Sequence, residues 1–502
     1  MNKFLLALCF TSLSGFAQQP VMEFPQQFYT VMLNHGFYDI YFQKNKTQDR
    51  FSLVMRDIRT SGYMQVDNTF KILDTFKTDT DKKFFNGHGD TYVGGTVDGN
   101  NYNFIYTNGF KATFNKTRVF KLEIVDFEKK KVTRRTAFEI PNEEEDVCFF
   151  SSENRFYAIT ALNESSELVI RRMNEKGKVT TKRIRVRVPD GQEKKRRKLS
   201  GYLKRTTVIH HDDAADFSQA SGGSKLFTSP GKIRLIVNGG DLPPHLLTID
   251  TETFNLKEQT FPHEEWIGKE TRINSFVANN NVFSVVLGRD DIRIVMFDAE
   301  SGKLLGNKQI NAANYSSLVT EPAVTETRKG KRISEKEVGS FAALMKELHK
   351  HDGGLMVTQE TKDGLYTLTI GSFEYIPVPS GGGAGSGYST TPSGFNSTKV
   401  GGAPDAPGAV MYYNPGSPAY SSNNAKHYTT TRFRLLVDPA NFQFKPGKTT
   451  LPISDQIKDF QESLNLKKTH TTIQFNLGSN RYYGYYDGKS EIYRIIRMDK
   501  KE

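Results

Sequence analysis

The stretch Met296–Leu304 reads MFDAESGKL, and it contains the pattern that decides the fold. Two apolar residues are followed by Asp298, and Leu304 comes after five further residues. Asp suits this place because its carboxylate can accept hydrogen bonds from a turn backbone and its main chain tolerates tight geometry. The stretch therefore predicts a turn between two antiparallel strands.

The same turn pattern recurs along the chain. Further copies occur at Val125-Asp126, Ile249-Asp250 and Val437-Asp438, and a copy shorter by one residue occurs at Met173-Asn174. Asp126 and Asn174 are 48 residues apart, as are Asp250 and Asp298, which is close to the ~40–50 residues of a four-stranded propeller blade. Weaker copies at Val66-Asp67 and Met498-Asp499 bring the number of turns to seven.

The stretches between these turns alternate apolar and polar residues, which is the period of half-buried strands. Examples are Val119–Val125, Lys232–Val237, Asp291–Phe297 and Arg432–Val437. We therefore predict an all-β fold, a β-propeller of seven blades, with six or eight blades as alternatives. The hairpin resembles the turn between the third and fourth strands of known propellers, although WD and kelch signatures are absent. A pair of β-sandwiches or one large antiparallel sheet is the competing architecture.

The first 17 residues have the features of a secretory signal peptide. Lys3 precedes the apolar run Phe4–Leu13, and small residues stand at Gly15 and Ala17. We expect the mature chain to begin at Gln18 and to be soluble or peripheral, because no later apolar run approaches the ~18 residues that a membrane helix needs. Cys148 is then the sole cysteine, and its apolar neighbours predict a buried residue rather than a nucleophile.

Three insertions interrupt the repeat of a single predicted domain that covers residues 18–502. They are residues 189–225, 321–352 and 380–427. The second contains an apparent capping box, Ser334 with Glu337, followed by Phe341, Leu344, Met345 and Leu348 at helical spacing. Another short helix is predicted around Gln456–Leu464, so we expect one or two helices in all.

The formal net charge of +12 is concentrated in one segment, since residues 182–205 hold 11 Lys or Arg against two acids. The densest part is a basic patch formed by Lys194, Lys195, Arg196, Arg197 and Lys198. Such a patch binds an anionic membrane surface or an acidic partner, or is simply solvated. Nucleic acid is not expected, because the patch has no interleaved aromatic residues for base stacking and the chain is predicted to be exported.

The sequence contains one cluster of candidate metal-binding residues. Five residues of metal-ligand type lie close together, namely His210, His211, Asp212, Asp213 and Asp216. Their spacing matches no defined metal site, and neighbours on an extended chain point in opposite directions, which favours a polar loop. The acidic run Glu143–Asp146 is predicted to be turn and surface charge. We therefore expect no metal, cofactor or catalytic residue.

The insertion at 380–427 is the strongest indication of function. It joins two strands where a hairpin needs only a few residues, and it combines a Gly- and Pro-rich backbone with large side chains. These are Tyr388, Phe395, Met411, Tyr412, Tyr413 and Tyr420. We interpret the segment as a partner-binding loop.

With the signal peptide and the Phe-, Tyr-, Asn- and Lys-rich β composition, the loop makes the chain resemble the periplasmic plug subunit of the type IX protein secretion translocon. That resemblance implies a non-catalytic propeller, monomeric on its own, at the periplasmic side of an outer-membrane barrel or envelope complex. The alternative hypothesis is a propeller enzyme or carbohydrate-binding protein that uses the central channel. Carboxylates converging with His or Tyr at the channel mouth would favour the alternative.

Overall fold

The computed structural model describes residues 20–26, 39–45, 48–57, 59–81, 84–85, 90–107, 117–163, 165–187, 199–203, 206–210, 215–238, 243–261, 271–329, 332–359, 364–376, 427–449, 451–464, 472–478 and 480–498. Within these residues the chain is nearly all-β, and its strands form seven sheets that follow one another along the sequence. Consecutive antiparallel sheets of this kind are the architecture of a β-propeller.

The first three sheets have four antiparallel strands each, in simple up-and-down order. After β1 (Pro20–Pro25), which belongs to the last sheet, sheet 1 consists of β2 (Asp39–Asn45), β3 (Arg50–Arg56), β4 (Thr60–Asp67) and β5 (Ile72–Asp79). Sheet 2 consists of β6 (Thr91–Asp98), β7 (Asn101–Thr107), β8 (Thr117–Asp126) and β9 (Lys131–Pro141). Sheet 3 consists of β10 (Glu144–Ser152), β11 (Arg155–Leu162), β12 (Glu167–Met173) and β13 (Val179–Arg185).

The fourth sheet carries an extra inner strand. In sheet 4, β14 (Thr207–His210) runs parallel to β15 (Lys225–Ser229), which is followed by β16 (Lys232–Val237), β17 (His245–Asp250) and β18 (Leu256–Thr260). Sheet 5 returns to four strands: β19 (Arg272–Ala278), β20 (Asn281–Leu287), β21 (Ile292–Asp298) and β22 (Leu304–Ile310).

The sixth sheet is enlarged and the seventh joins distant parts of the chain. Sheet 6 has the order β24-β23-β27-β26-β25. Its strands are β23 (Ala323–Lys329), β24 (Arg332–Val338), β25 (Asp352–Gln359), β26 (Tyr366–Tyr375), β27 (His427–Asp438) and β28 (Gln443–Lys445). β28 pairs with residues 436–438 of β27, whereas β23 pairs with residues 427–432 of the same strand. Sheet 7 has the order β1-β31-β30-β29, with β29 (Thr472–Leu477), β30 (Asn480–Asp487) and β31 (Ile492–Met498).

Five short helices lie among the described residues: α1 (Leu199–Leu203), α2 (Phe217–Ala220), α3 (Tyr315–Leu318), α4 (Phe341–Leu348) and α5 (Ile453–Ser463). The two predicted helices correspond to α4 and α5. The other three have four or five residues, which is too short for a helical period to be visible in the sequence. None of these helices has the length and apolar character required to cross a membrane.

The recurrent Asp turns have the predicted geometry. Asp67, Asp126, Asp250, Asp298 and Asp438 each end a strand that a turn joins to the next strand of the same sheet, Asn174 follows such a strand, and all six accept backbone N–H groups of that turn. Asp298 Oδ1, for example, accepts from Ser301 N at 2.6 Å and from Glu300 N at 3.1 Å. Gly302, at a φ of 72°, supplies the left-handed residue that completes this turn. Asp499 lies outside the described residues.

Apolar clusters fill the interfaces between neighbouring sheets. Separate clusters join sheets 7 and 1, sheets 1 and 2, sheets 2 and 3, and sheets 3 and 4, and one large cluster joins sheets 4, 5 and 6. The inner strands also touch in sequence, β29 against β2, β2 against β6, β6 against β10 and β19 against β25. Cys148 is buried, as predicted, and burial raises the pKa of its thiol.

The two ends of the described chain meet in sheet 7. β1 pairs antiparallel with β31 as its outer strand, and Met22 and Phe24 alternate inward into the apolar cluster between sheets 7 and 1. The sequence predicts this role for Phe28–Leu33, because the segment is apolar and β-prone and precedes the first repeat. That segment lies outside the described residues, and the strand that closes the sheet is Pro20–Pro25.

Two sequence predictions are wrong. Ser334 and Glu337 do not cap a helix, because both lie in β24, and α4 begins later with Ser340 as its N-cap, whose Oγ accepts from Ala343 N at 3.2 Å. Pairing of β24 with β23 overrides the local Ser-x-x-Glu pattern. The acidic run at 143–146 is not simply surface charge either, since Glu144 is 2% exposed and receives two hydrogen bonds of 2.7 Å from Arg171.

Removal of residues 18–34, which include β1, is expected to lower the stability of the whole domain rather than fray one end, because it uncovers the edge of β31. The substitution Phe24→Ala isolates the apolar part of this contact, since the Phe24 ring lies 5.4 Å from that of Tyr493. It should cost about 3 kcal/mol. Val21→Ala is the matched control on the same strand and should cost less than ~0.5 kcal/mol, because Val21 is 39% exposed. Thermal melting checks all three variants, and an unchanged melting temperature for the truncation would contradict ring closure.

Asp298→Ala is expected to cost about 1 kcal/mol by removing the acceptor of the turn, whereas Asp298→Asn should be nearly neutral, because Asn174 fills the equivalent place. The turn hydrogen bonds hold the pKa of Asp298 below its ordinary 3.8. Its ionised form therefore stabilises the fold above that pH, and this contribution disappears as the pH falls through the lowered pKa. Urea unfolding at pH 7 and pH 3 should show a smaller acid-induced loss for the Asn variant than for the wild type.

Candidate functional site

The residues predicted to bind a partner lie outside the described residues. This applies to all six loop residues, Tyr388, Phe395, Met411, Tyr412, Tyr413 and Tyr420, and to the basic patch Lys194, Lys195, Arg196, Arg197 and Lys198. The described chain nevertheless includes the two strands that flank the 380–427 insertion. It also includes most of residues 199–225, which follow the basic patch within the first insertion. These two regions form the candidate site.

The His and Asp cluster has a structural role where it is described. His210 lies in β14, with Nδ1 3.2 Å from Thr228 Oγ1. Asp216 is the N-cap of α2, while His211, Asp212 and Asp213 lie outside the described residues. Among the described residues, no three His, Cys, Asp or Glu side chains are grouped as metal ligands would be.

Residues 206–210 and 215–224, which we call the central segment, lie at the middle of the molecule. β14 pairs with β15 at the inner edge of sheet 4 and contacts β10 of sheet 3, whereas α2 contacts β25 and β26 of sheet 6. Inner strands of a propeller surround its axis. A segment that touches the inner strands of sheets 3, 4 and 6 therefore lies across that axis.

The central segment is held in place by the capping of α2. Asp216 Oδ1 accepts from Gln219 N at 2.8 Å and from Ser218 Oγ at 2.5 Å, and Gln219 Oε1 accepts in return from Asp216 N at 3.2 Å. Burial raises the pKa of Asp216, and the nearby charge of Asp455 adds to the rise. The carboxylate is thus committed to a helix cap in a poorly hydrated place.

Phe217 fits a gap that two glycines leave in sheet 6. A Cβ atom on Gly354 of β25 or on Gly371 of β26 would lie 3.0 Å from the tip of the Phe217 ring. These glycines face each other across the ladder, and Phe217 is 5% exposed. Their missing side chains therefore provide the space into which the central segment anchors.

A polar junction around Asn274 ties the central segment to three sheets. Asn274 Oδ1 accepts from Lys225 Nζ at 2.9 Å and from Leu355 N at 3.1 Å. Its amide nitrogen donates to the carbonyl oxygens of Ser221 and Gly222. One side chain of sheet 5 thus holds sheet 4, sheet 6 and the central segment together.

Lys225 is the unusual member of this junction. Its side chain is completely buried, and its ammonium group also donates to the carbonyl oxygen of Ser275 at 3.0 Å. Burial lowers the pKa of Lys225 to about 7. Sequence alone could not identify it, because Lys225 begins a strand with no unusual local pattern.

An ionic cluster lies where sheet 6 meets α5. Asp455 Oδ2 accepts from Arg432 and Arg434 at 2.9 Å each, and Arg432 also lies 3.4 Å from Glu326. Burial alone would lower the pKa of Arg432, but the carboxylates of Asp455 and Glu326 raise it overall. On its other side, Ile457 of α5 packs with Tyr483 and Tyr485 of sheet 7. α5 is therefore the wedge between sheets 6 and 7.

The long insertion leaves from a reinforced part of sheet 6. The β26–β27 ladder extends to Tyr375 and Tyr428, and Ile376 N donates to the carbonyl of His427 at 2.9 Å. On the other side of β27, β23 pairs with residues 427–432 and β24 pairs with β23. Phe373 stacks on Tyr428 with ring centroids 5.5 Å apart. Four strands thus support the place where residues 377–426 leave the sheet.

The polar groups of this region make contacts within the protein. Asp216 caps a helix, Asp455 neutralises two guanidinium groups, and Tyr428 donates its hydroxyl hydrogen to Glu326. A channel-based enzyme would instead need converging carboxylates with His or Tyr left available for substrate. In the described part of the site, β14 and α2 lie against the inner strands of sheets 3 and 6, beside the reinforced part of sheet 6.

The pH dependence of stability tests the burial of Lys225. Because the pKa of Lys225 falls from 10.5 to about 7 on folding, the unfolded chain binds the proton more tightly, and stability should rise between pH 7 and pH 10.5. The slope should approach about 1.4 kcal/mol per pH unit. Lys225→Met should be more stable than the wild type at pH 7 and lack this rise, as measured by urea unfolding at several pH values. Parallel curves for the two proteins would contradict the assignment.

No protein-family model and no curated protein matches the chain. Among solved structures, the β-propeller domain of the Trilobed protease from Pyrococcus furiosus is 10% identical over 82% of this chain and 94% of that chain, with a TM-score of 0.27. Cobalt-substituted Synechocystis ACO is 9% identical over 54% of this chain and 61% of that chain, with a TM-score of 0.28. Prolyl oligopeptidase B from Galerina marginata is 9% identical over 66% of this chain and 46% of that chain, with a TM-score of 0.27. The chain spans about six tenths of the ACO structure. Similarities this weak carry no argument about function.

Proposed function

We propose that the protein is a non-catalytic periplasmic β-propeller that docks on an outer-membrane protein complex and plugs or gates a protein secretion translocon. In this proposal the seven sheets are the seven blades of one closed ring. The 380–427 segment is the element that grips the partner. Peripheral association with the outer membrane follows from that docking.

The ring is supported by the order of contacts between sheets. Each apolar cluster joins sheets that are neighbours in sequence, sheet 7 packs on sheet 1, and α5 fills the space between sheets 6 and 7. β1 completes sheet 7 from the other end of the chain. Seven sheets connected in this way have no open end along the series.

The observation that carries the docking role is the enlargement of sheet 6. The extra hairpin of β23 and β24 pairs with β27 at residues 427–432, which is where the long segment rejoins the sheet. Threonine hydroxyl pairs strengthen the contact, since Thr325 and Thr431 lie 2.8 Å apart through their Oγ1 atoms. A partner that binds the segment would therefore pull on four paired strands rather than on a two-stranded hairpin.

The blocked axis favours this function over the alternative. An enzyme or carbohydrate-binding propeller would use the channel that the inner strands surround. Here Phe217 and α2 pack on the inner strands of sheet 6, and Asn274 holds the segment from sheet 5. A propeller whose own chain covers its axis is better suited to present an outer surface.

The resemblance to the type IX plug subunit agrees with these features. A protein that closes the mouth of a barrel has to be rigid and has to be impermeable along its own axis. In this proposal the central segment closes the axis. The secretory signal predicted at residues 1–17 would deliver the chain to the periplasm.

Deletion of residues 380–426 tests the proposal, with a short Asn-Gly turn joining the remaining ends. The deletion is feasible because Ile376 and His427 are hydrogen-bonded neighbours. The variant should melt like the wild type, since none of the described ladder is removed. It should fail to co-purify with an outer-membrane barrel from native membranes, as identified by mass spectrometry.

A second variant separates composition from length. Changing the six large loop residues, Tyr388, Phe395, Met411, Tyr412, Tyr413 and Tyr420, to Ser keeps the segment but removes its apolar side chains. It should lose the partner as the deletion does. Normal recovery of the barrel with either variant would refute the docking role.

A further inference from the structure

The outer strand of sheet 6 is an unpaired edge within the described part of the chain. β24 pairs with β23 on one side, and six of its seven residues are exposed. Alternate residues of an edge strand direct their backbone N–H and C=O groups outward. β24 therefore offers a template to which another strand could pair.

The side chains of β24 are sorted by charge between the two faces of the sheet. Glu335 and Glu337 point to one face, whereas Arg332 and Lys336 point to the other. Across the ladder, Glu335 lies directly opposite Glu326, and Arg332 lies directly opposite Lys329. Glu326 is already neutralised within the sheet by Arg432 and by the hydroxyl group of Tyr428. The charges that an added strand would meet are therefore those of β24 itself, and opposite charges on that strand would pair with them.

A second copy of this chain does not fit the edge. Symmetric antiparallel pairing of β24 with itself places a residue opposite its own copy, and only the registers centred on Ser334, Glu335 and Lys336 pair more than half of the seven residues of β24. Pairing centred on Glu335 brings the two Glu335 carboxylates together. Centring on Ser334 sets Arg332 against Lys336, and centring on Lys336 sets Lys336 against itself and Glu335 against Glu337. Each register therefore contains a like-charged pair.

We propose that β24 is a docking site for an extended segment of a different protein, which adds as an antiparallel strand. The segment carries basic residues opposite Glu335 and Glu337 and acidic residues opposite Arg332 and Lys336. Backbone hydrogen bonds provide the binding energy, and the alternating charges fix the register. This site goes beyond the proposed docking loop, because it uses described residues outside the 380–427 segment.

Two synthetic peptides test the proposal directly. The complementary peptide, written from its N-terminus, is Thr-Lys-Glu-Lys-Thr-Val-Glu and lies opposite Val338 to Arg332. The control, Thr-Glu-Lys-Glu-Thr-Val-Lys, has the same composition, length and net charge, but its charges are exchanged. With acetylated and amidated ends and a fluorescent label, the complementary peptide should bind purified protein of residues 18–502 at least tenfold more tightly than the control, as measured by fluorescence anisotropy.

A charge-exchanged protein locates the site. The quadruple variant Arg332→Glu, Glu335→Lys, Lys336→Glu and Glu337→Lys alters only exposed side chains, and its melting temperature should stay close to that of the wild type. It should reverse the preference and bind the control peptide more tightly. If neither peptide binds, the charged edge only protects against aggregation and the proposal is wrong. Equal binding of both peptides, or an unchanged preference in the variant, would also overturn it. The experiment uses no envelope partner, so its result is independent of the loop-deletion test.

Discussion

The burial of both faces of the central strands is the constraint on which the rest of the structure depends. In β3, β11 and β20 nearly every residue is buried, so both faces of these strands lack water. A sheet of this kind is unstable unless a neighbour covers each face. A linear series would leave its first and last sheets half exposed. Sheet 7 is covered by sheet 1 on one side and by α5 on the other, and α5 also contacts sheet 6.

The polar interior follows from the same constraint. Several polar and charged side chains are buried, and hydrogen bonds between some of them offset part of the cost of burial. Asn274 bonds to three parts of the chain, and Arg171 with Glu144 forms a closed pair. Lys225 is the exception, because its ammonium group has neutral partners and burial lowers its pKa to about 7. Burial of the Lys225 ammonium group therefore lowers the stability of the fold at neutral pH. Its hydrogen bond to Asn274 nevertheless helps to fix the central segment, because Asn274 also bonds to Gly222.

Local patterns in the sequence predicted the turns, the strands and two of the helices. Asp298 and its equivalents could be found because each acts on residues within five positions of itself. The roles of Glu144, Lys225 and Phe217 could not be found, because their partners are tens of residues away or more and leave no periodic signal. Ser334 shows the opposite failure, since a correct local motif was overridden when β24 paired with β23. The partner-binding residues of the loop and the basic patch remain predictions.

The pairing of β1 with β31 has a consequence for how the molecule folds. Glu23 and Arg494 form an ion pair at 2.6 Å although they are 471 residues apart in sequence. Sheet 7 cannot form completely until Ile492–Met498 has been synthesised and has paired with β1. Contacts of such separation fold slowly. Sheet 7 is therefore expected to complete late in folding, after the sheets that are built from strands close in sequence.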